Sequence, residues 1–354
     1  MLNADPPSFA TIGVIVGRDL VGDALIKLPF LRALRNAFPR AEISWITSQG
    51  PTAFAGQLRE PTKALLDKIY EQPQWLGVWD RTSGVREIVA KLFSYAPVPA
   101  SLTEAPFFDL LIDTRNRWRE AIHARRIPHR VFIAPALQFF FSDIRPPFLG
   151  SRPAHLCDRL VELVELASGT HPASTGALPV PDDVLQKARR ILPEGHIYVG
   201  LAPGAGYLDK IWPRYKFEKV AETQAQKGRV PVFILGPQEL GWHDELLATV
   251  PSAKFPLQEY EVWGSMTITL DHTLAIGQLL DVAVANDSGV GHMLAAVDCP
   301  LISLFGPTSP DKLAPRVTRG TVVKAQDFGS PLMRKITWEA VNEAVEEMLA
   351  AKVS

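Results

Sequence analysis

Cysteine is nearly missing from this chain. Cys157 and Cys299 are the two such residues among 354, far apart and outside any Cys-x-x-Cys spacing. That excludes a disulfide framework and reads as two buried free thiols in a reducing compartment. The amino terminus, MLNADPPSFATIGVIV, lacks the basic start and long apolar stretch of a secretory signal. Nowhere is there a run of about 18 apolar residues that would cross a bilayer as a helix, so a cytoplasmic protein is the expectation. Neither sign of charge is in excess: 37 Lys+Arg stand against 38 Asp+Glu, a net charge of −1. No global field favours nucleic acid, and an anionic partner must be met by a local patch. Low complexity is absent as well. With 47% hydrophobic and 21% charged residues, the chain has the balance of a globular protein that buries a core.

Several chemical signatures are also lacking. Gly-x-Gly-x-x-Gly and Gly-x-x-x-x-Gly-Lys-[Ser/Thr] do not occur, which removes the dinucleotide fingerprint and the P-loop. The eight histidines form no His-Glu-x-x-His and no His-x-His, so nothing points to a zinc site and no metal is expected. Without a Gly-x-Ser-x-Gly, a hydrolase triad has no support.

What is present is alternation. Ile12–Val16 is a short β-branched run followed by a loop and VGDALIKLPFLRALRNAF, where Leu25, Leu28, Leu31, Leu34 and Phe38 predict one helix, stopped by Pro39. Glu42–Thr47, Asp109–Asp113 and Val131–Ile133 read as further strands. The second half repeats the logic, with strands predicted at Ile197–Leu201, Val232–Leu235, Val282–Ala285 and Leu301–Phe305. Helices are predicted near Tyr215–Lys227, Leu270–Leu280 and Val290–Ala296. Strands alternating with helices mean βαβ units and parallel sheets, so an α/β chain with two Rossmann-like domains is expected. Residues 1–167 would form the first domain. A linker rich in Pro, Ser, Thr and Gly follows over 168–195, then a second domain over 196–330. A terminal helix within 331–354 carries Val341, Val345, Met348 and Leu349 on one face and is free to pack back on the first domain. Two such sheets are expected to face a central cleft, with ligands at the carboxyl ends of the strands.

Three loops after strands could carry chemistry. In GRDLVGDALIKLP, Asp23 opens a helix. It is either a favourable charge at the helix N-terminus or a general base that accepts a hydroxyl proton, and nearby Asp19 is expected to be solvated. In LAPGAGYLDKIWP, the small residues around Gly204 let a ligand approach the backbone. Lys210 is there either a surface lysine or a point charge for a diphosphate. In VANDSGVGHMLAAV, Asp287, Ser288 and Gly289 make either a well-formed helix cap or an anion and hydroxyl site, with His292 on the same first turn. A fourth feature is a basic stretch from Arg115 to Arg130 that includes Arg117 and Arg119, with Glu120 its one acid. It is a solvated helix or a patch for an anionic acceptor. Phe139-Phe140-Phe141 reads as core or as a membrane-facing edge.

Taken in this order, the motifs resemble glycosyltransferase family nine, the heptosyltransferases. GDALIKLPFLRALRNAFPRAEISWI is similar to the family's amino-terminal signature, PGAGYLDKIWPRYKF to its central motif, and NDSGVGHMLAAVDCPLISLFGPTSP to its most specific segment. His155 with Arg159, and Met333 with Ile336-Thr337, fit weaker positions. The resemblance implies the GT-B fold and inverting, metal-independent transfer from a nucleotide sugar, ADP-heptose, to an anionic glycolipid acceptor of the lipopolysaccharide inner core. No cofactor is implied, and contact is peripheral at the inner face of the membrane. Asp23 would be the base and Lys210 would hold the diphosphate. Gly204, Asp287, Ser288, Gly289 and His292 would contact the donor, and Arg115, Arg117 and Arg119 the acceptor. The chain departs from the family in two places. Arg18-Asp19-Leu20-Val21 stands where many relatives carry Ser or Thr, and QDFGSPLMRK replaces a cysteine-containing loop. Two rival readings stay open, a transferase of the same family acting on another sugar or acceptor, and a GT-B nucleotide-sugar epimerase. A non-catalytic module is disfavoured by the joint presence of Asp23, Lys210 and Asp287.

Overall fold

β-branched and aliphatic runs a few residues long, buried on both faces, are what a parallel sheet covered by helices requires. In a computed structural model, which describes residues 8–76, 104–147 and 152–351, such runs build two separate sheets. The chain divides into two units, Met1–Ser174 and Thr175–Ser354.

In the first unit the strands are β1 (Thr11–Val16), β2 (Glu42–Thr47), β3 (Lys68–Glu71), β4 (Phe108–Asp113) and β5 (His129–Ile133). All pairs are parallel, in the order β3-β2-β1-β4-β5, with Ile15 opposite both Ile46 and Asp113. The one helix expected from Val21 to Phe38 is two, α1 (Val21–Leu25) and α2 (Leu28–Ala37). Pro29 lies at the start of α2; it has no N–H to continue a preceding helix, and its fixed φ suits a first turn. α2 buries Leu28, Phe30, Leu31 and Leu34 and packs on a later helix of the same unit. Helix α3 (Trp118–Ala124) follows β4, and α4 (Leu156–Ser168) is the partner of α2.

The second unit opens with α5 (Asp182–Ile191), so the stretch expected as linker contains a helix, and the division falls at Ser174–Thr175. Its turn-rich composition hid two anchors. Leu178 is buried with its amide on the Ala296 carbonyl at 2.7 Å, and Ala188 and Ile191 are buried on α5. The strands are β6 (Tyr198–Ala202), β7 (Val230–Phe233), β8 (Val282–Asn286), β9 (Leu301–Phe305) and β10 (Gly320–Lys324), all parallel in the order β10-β9-β8-β6-β7. Between them run α6 (Arg214–Gln226), α7 (Leu270–Leu279) and α8 (Gly289–Ala296), and the chain closes with α9 (Trp338–Ala350). The sequence left α9 free to pack on the first domain; its apolar face instead belongs to the core of the second unit. Val341, Val345, Met348 and Leu349 join Val220, Phe233, Val284 and Ile302 there.

Each sheet has one place where strand order reverses, between β1 and β4 in the first and between β6 and β8 in the second. Loops leaving the carboxyl ends of those strands diverge and leave a crevice, the preferred ligand position of open α/β sheets. Asp19 and Asp23 follow β1, Asp113 ends β4, Lys210 follows β6 and Asp287 follows β8.

Candidate active site

The β1 loop runs Gly17-Arg18-Asp19-Leu20 into α1. Asp23 sits exposed in the first turn of α1, where no side chain caps the helix. Among the described residues none gives its carboxylate a hydrogen bond or ion pair, so the group is available to a ligand and favourably placed near the helix N-terminus. Asp19 is not solvated, as the sequence suggested, but buried at 1% exposure. Lys27 forms an ion pair with its Oδ1, while Trp45 Nε1 (2.7 Å) and Thr52 Oγ1 (3.3 Å) donate to its Oδ2. A carboxylate is tolerated inside because Lys27 arrives from the junction of α1 and α2 to neutralise it.

The basic stretch is differently disposed from the expectation. Arg115 does not project as a free acceptor contact. Its Nε and Nη2 bind the two oxygens of buried Asp113 at 2.8 and 2.9 Å, and Glu120 lies 3.3 Å from Nε. Arg125 pairs with Asp143 at 2.6 Å, so acids from outside the stretch take up much of its charge. Arg117 is well exposed, 3.3 Å from Glu120, and the Arg119 guanidinium lies 5.1 Å from the ring centre of Trp118. Of the Phe run, Phe139 is core and Phe140 is 63% exposed.

In the second unit the two crevice loops meet. Lys210 closes a 3-10 turn (Leu208–Lys210), and its Nζ lies 2.7 Å from Asp287 Oδ2, to which Thr308 Oγ1 also donates at 2.6 Å. Buried Asn286 stitches the loops together: its Oδ1 accepts the Trp212 amide at 3.1 Å and its Nδ2 donates to the Pro203 carbonyl at 2.7 Å. Ser288 has extended backbone at the N-cap of α8, yet its hydroxyl does not cap the helix. That Oγ is buried and unpartnered among the described residues, a state that costs free energy unless a ligand supplies the hydrogen bond. Gly289 is the first, exposed residue of α8, and His292 is half-buried one turn on.

Glu239 was missed. It lies in the loop after β7, 7% exposed, between two glycines. A Cβ on Gly204 would come within 2.7 Å of its carboxylate, and one on Gly236 within 2.8 Å. The room that Gly204 leaves is therefore used first by Glu239. Burial pushes this carboxyl above its ordinary value, opposed by the backbone amides of Gly236 and of Glu239 itself. The signal was available as Gly236-Pro237-Gln238-Glu239 directly after a strand.

The weaker positions are scaffold. The Ile336 carbonyl accepts from Trp212 Nε1 at 3.0 Å and from Lys216 Nζ at 2.5 Å, and Met333 fills the space beside Gly306. Donor atoms of His155, Cys157 and Asp158 lie within 4.8 Å of one another at the start of α4. There the His155 ring accepts the Cys157 amide at 3.2 Å as a helix cap, so the trio reads first as a capping arrangement.

The family model described as glycosyltransferase family 9 (heptosyltransferase) matches residues 104–338. Lipopolysaccharide heptosyltransferase 3 of Escherichia coli (strain K12) is 26% identical over 298 residues, spanning 81% of this chain and 80% of that protein. Lipooligosaccharide heptosyltransferase 2 of Haemophilus influenzae is 23% identical over 334 residues, 88% of each. Among solved structures, a family 9 glycosyltransferase from Veillonella parvula matches with a TM-score of 0.70 at 18% identity, covering 99% of this chain and 100% of that one. The E. coli ADP-heptose lipopolysaccharide heptosyltransferase II matches at 0.63 and 18% identity, over 97% and 100%. These likenesses show the fold, GT-B, with two α/β units that each hold a parallel sheet.

Proposed function

The chain belongs to glycosyltransferase family 9, the heptosyltransferases, and on that premise we propose that it moves a heptose from ADP-heptose to an anionic acceptor of the lipopolysaccharide inner core, with inversion and without a metal. The observation that carries this reading is the group at the crevice of the second sheet: Lys210 on Asp287, Thr308 on the same carboxylate, and an unpartnered Ser288 hydroxyl at the N-terminus of α8. Cation, helix amides and free hydroxyl together suit a sugar diphosphate.

In the proposed reaction an acceptor hydroxyl attacks the anomeric carbon from the face opposite the diphosphate. Asp23 takes its proton, the new glycosidic bond forms, and the bond to the diphosphate oxygen breaks with its electron pair leaving on ADP. Lys210 and the α8 amides stabilise that growing charge, the task a metal performs elsewhere. Asp287 holds Lys210 in place and offers its remaining acceptor capacity to donor hydroxyls, as buried Glu239 does from the β7 loop. Arg117 and Arg119 are the candidates for acceptor anions. No helix among the described residues is long and apolar enough to cross a membrane; a glycolipid acceptor would be met at the inner membrane face by peripheral contact.

The test is ADP release with ADP-heptose and a Kdo-terminated lipid A, beside ADP-glucose and UDP-sugars. Release should require ADP-heptose and acceptor together. A positioned base contributes about 10²–10⁴ in rate, so Asp23→Asn should lose that much kcat while still binding ADP-heptose. Full turnover in that variant removes Asp23 from the mechanism, and release with another donor alone reassigns the sugar.

A further inference from the structure

α1 is five residues long, too short to persist by its own hydrogen bonds, because helix nucleation is unfavourable and is recovered only over several turns. Yet it carries the group to which the reaction assigns proton transfer. Something outside α1 must set where Asp23 points.

Asp19 and Lys27 lie four residues before and four residues after Asp23, and they close on each other as a buried ion pair with side-chain exposures of 0% and 11%. The pair therefore ties the entry and the exit of α1 to one point. That point is itself fixed. Trp45 of β2 donates its ring N–H to Asp19 at 2.7 Å, and its ring is boxed by Phe54 at 5.1 Å and Phe30 at 6.3 Å. Thr52 donates its hydroxyl to the same carboxylate at 3.3 Å, and the Ala53 amide reaches the Asp19 carbonyl at 3.1 Å. A buried ion pair is a poor device for stability alone, since an apolar pair of similar volume commonly serves as well. What it specifies well is geometry, because neither charge tolerates leaving the other. We propose that Asp19 and Lys27 are positioning residues that hold the α1 turn, and with it the Asp23 carboxylate, in register with the acceptor hydroxyl. The inference rests on the reading of Asp23 as base.

The experiment compares the wild type with Asp23→Asn, with the double variant Asp19→Asn/Lys27→Met, and with all three substitutions together. Removing both charges at once avoids stranding one of them and should keep the thermal midpoint within a few degrees of wild type. A misplacement of about 1 Å can cost on the order of 10² in rate. The double variant should accordingly lose about 10²-fold in kcat, measured well below its midpoint, with the KM for the nucleotide sugar changed less than about twofold. In the Asp23→Asn background the same two substitutions should cost less than about threefold, because the group they position is already gone. A purely structural pair would lower the midpoint and leave kcat of the folded enzyme alone, which overturns the proposal. Equal losses in both backgrounds overturn it too, since the pair would then act independently of Asp23. If Asp23→Asn itself keeps full turnover, the base reading falls and takes this one with it. If Asp23→Asn is impaired and the double variant is not, the base stands and the positioning role alone is refuted.

Discussion

Four acidic side chains of similar chemistry stand in three different situations here, set by burial and by the partner each one meets. Asp23 is exposed and, among the described residues, unengaged; Asp19 and Asp113 are buried against Lys27 and Arg115, and Asp287 is shared by Lys210 and Thr308. A motif can say that an acid follows a strand; it cannot say which neighbour will neutralise it, because Lys27, Trp45 and Thr52 approach Asp19 from three different elements. The same holds for the arginines. Arg119→Ala should raise the acceptor KM several-fold and leave donor affinity and thermal midpoint near wild type. Arg115→Ala should act on stability instead, since it leaves Asp113 buried and unpaired at a cost of about 3–5 kcal/mol. Steady-state kinetics beside thermal melts separate the two; unchanged acceptor kinetics in Arg119→Ala would return that side chain to the solvated helix surface.

At the scale of elements, the strongly patterned segments were readable, and of the edge strands β3 and β10 were not. β2, β9 and α9 fall where their residues predict, because EISWIT and LISLF are rich in β-branched, aliphatic and aromatic residues and α9 is a full amphipathic helix. β3 (KIYE) and β10 (GTVVK) are edge strands left largely solvent-facing, so neither carries the apolar signal of its neighbours. α9 gains its place from packing on α6 and the sheet, and from Glu346. This carboxylate accepts from Arg229 at 2.6 and 2.9 Å, from Gln224 at 2.9 Å and from Lys227 at 2.9 Å. The Arg229 guanidinium, with Lys227 and Gln224, holds it down to about 2 against partial burial, from an ordinary 4.5. A carboxylate depressed in the folded state contributes stability above its unfolded value and loses it as pH falls through the folded one. Glu346→Gln should lower the melting temperature by about 2–4 °C at pH 7, the size of a roughly 1 kcal/mol loss in a unit of this length. The difference from wild type should shrink between pH 4.5 and 2. A gap that stays constant across that range would show that the ion pairs contribute nothing.

Across the whole molecule, the proposed chemistry is divided between the two units: the first supplies the Asp23 carboxylate, unengaged among the described residues, and the second the Lys210–Asp287 pair, for which we propose the nucleotide diphosphate as ligand. Hydrogen exchange with and without ADP tests that division. Protection is expected over residues 203–210, 286–292 and 306–308, with residues 17–25 unaffected; comparable protection of 17–25 would mean that the nucleotide is not held by the second unit alone. By itself the sequence determined the α/β class, two parallel sheets, and the loops in which Asp23, Lys210 and Asp287 lie, because periodicity and turn residues are local properties of the chain. Only the tertiary structure decided that Lys210 and Asp287 are one pair, that Ser288 keeps a buried hydroxyl without a partner among the described residues, that Arg115 is committed to Asp113, and that Asp19 is an interior charge. Those outcomes depend on which side chains the fold brings together and buries, whether 77 residues apart as Lys210 and Asp287 are or two apart as Arg115 and Asp113 are, and the free energy of a buried polar group is set by the partner it finds there.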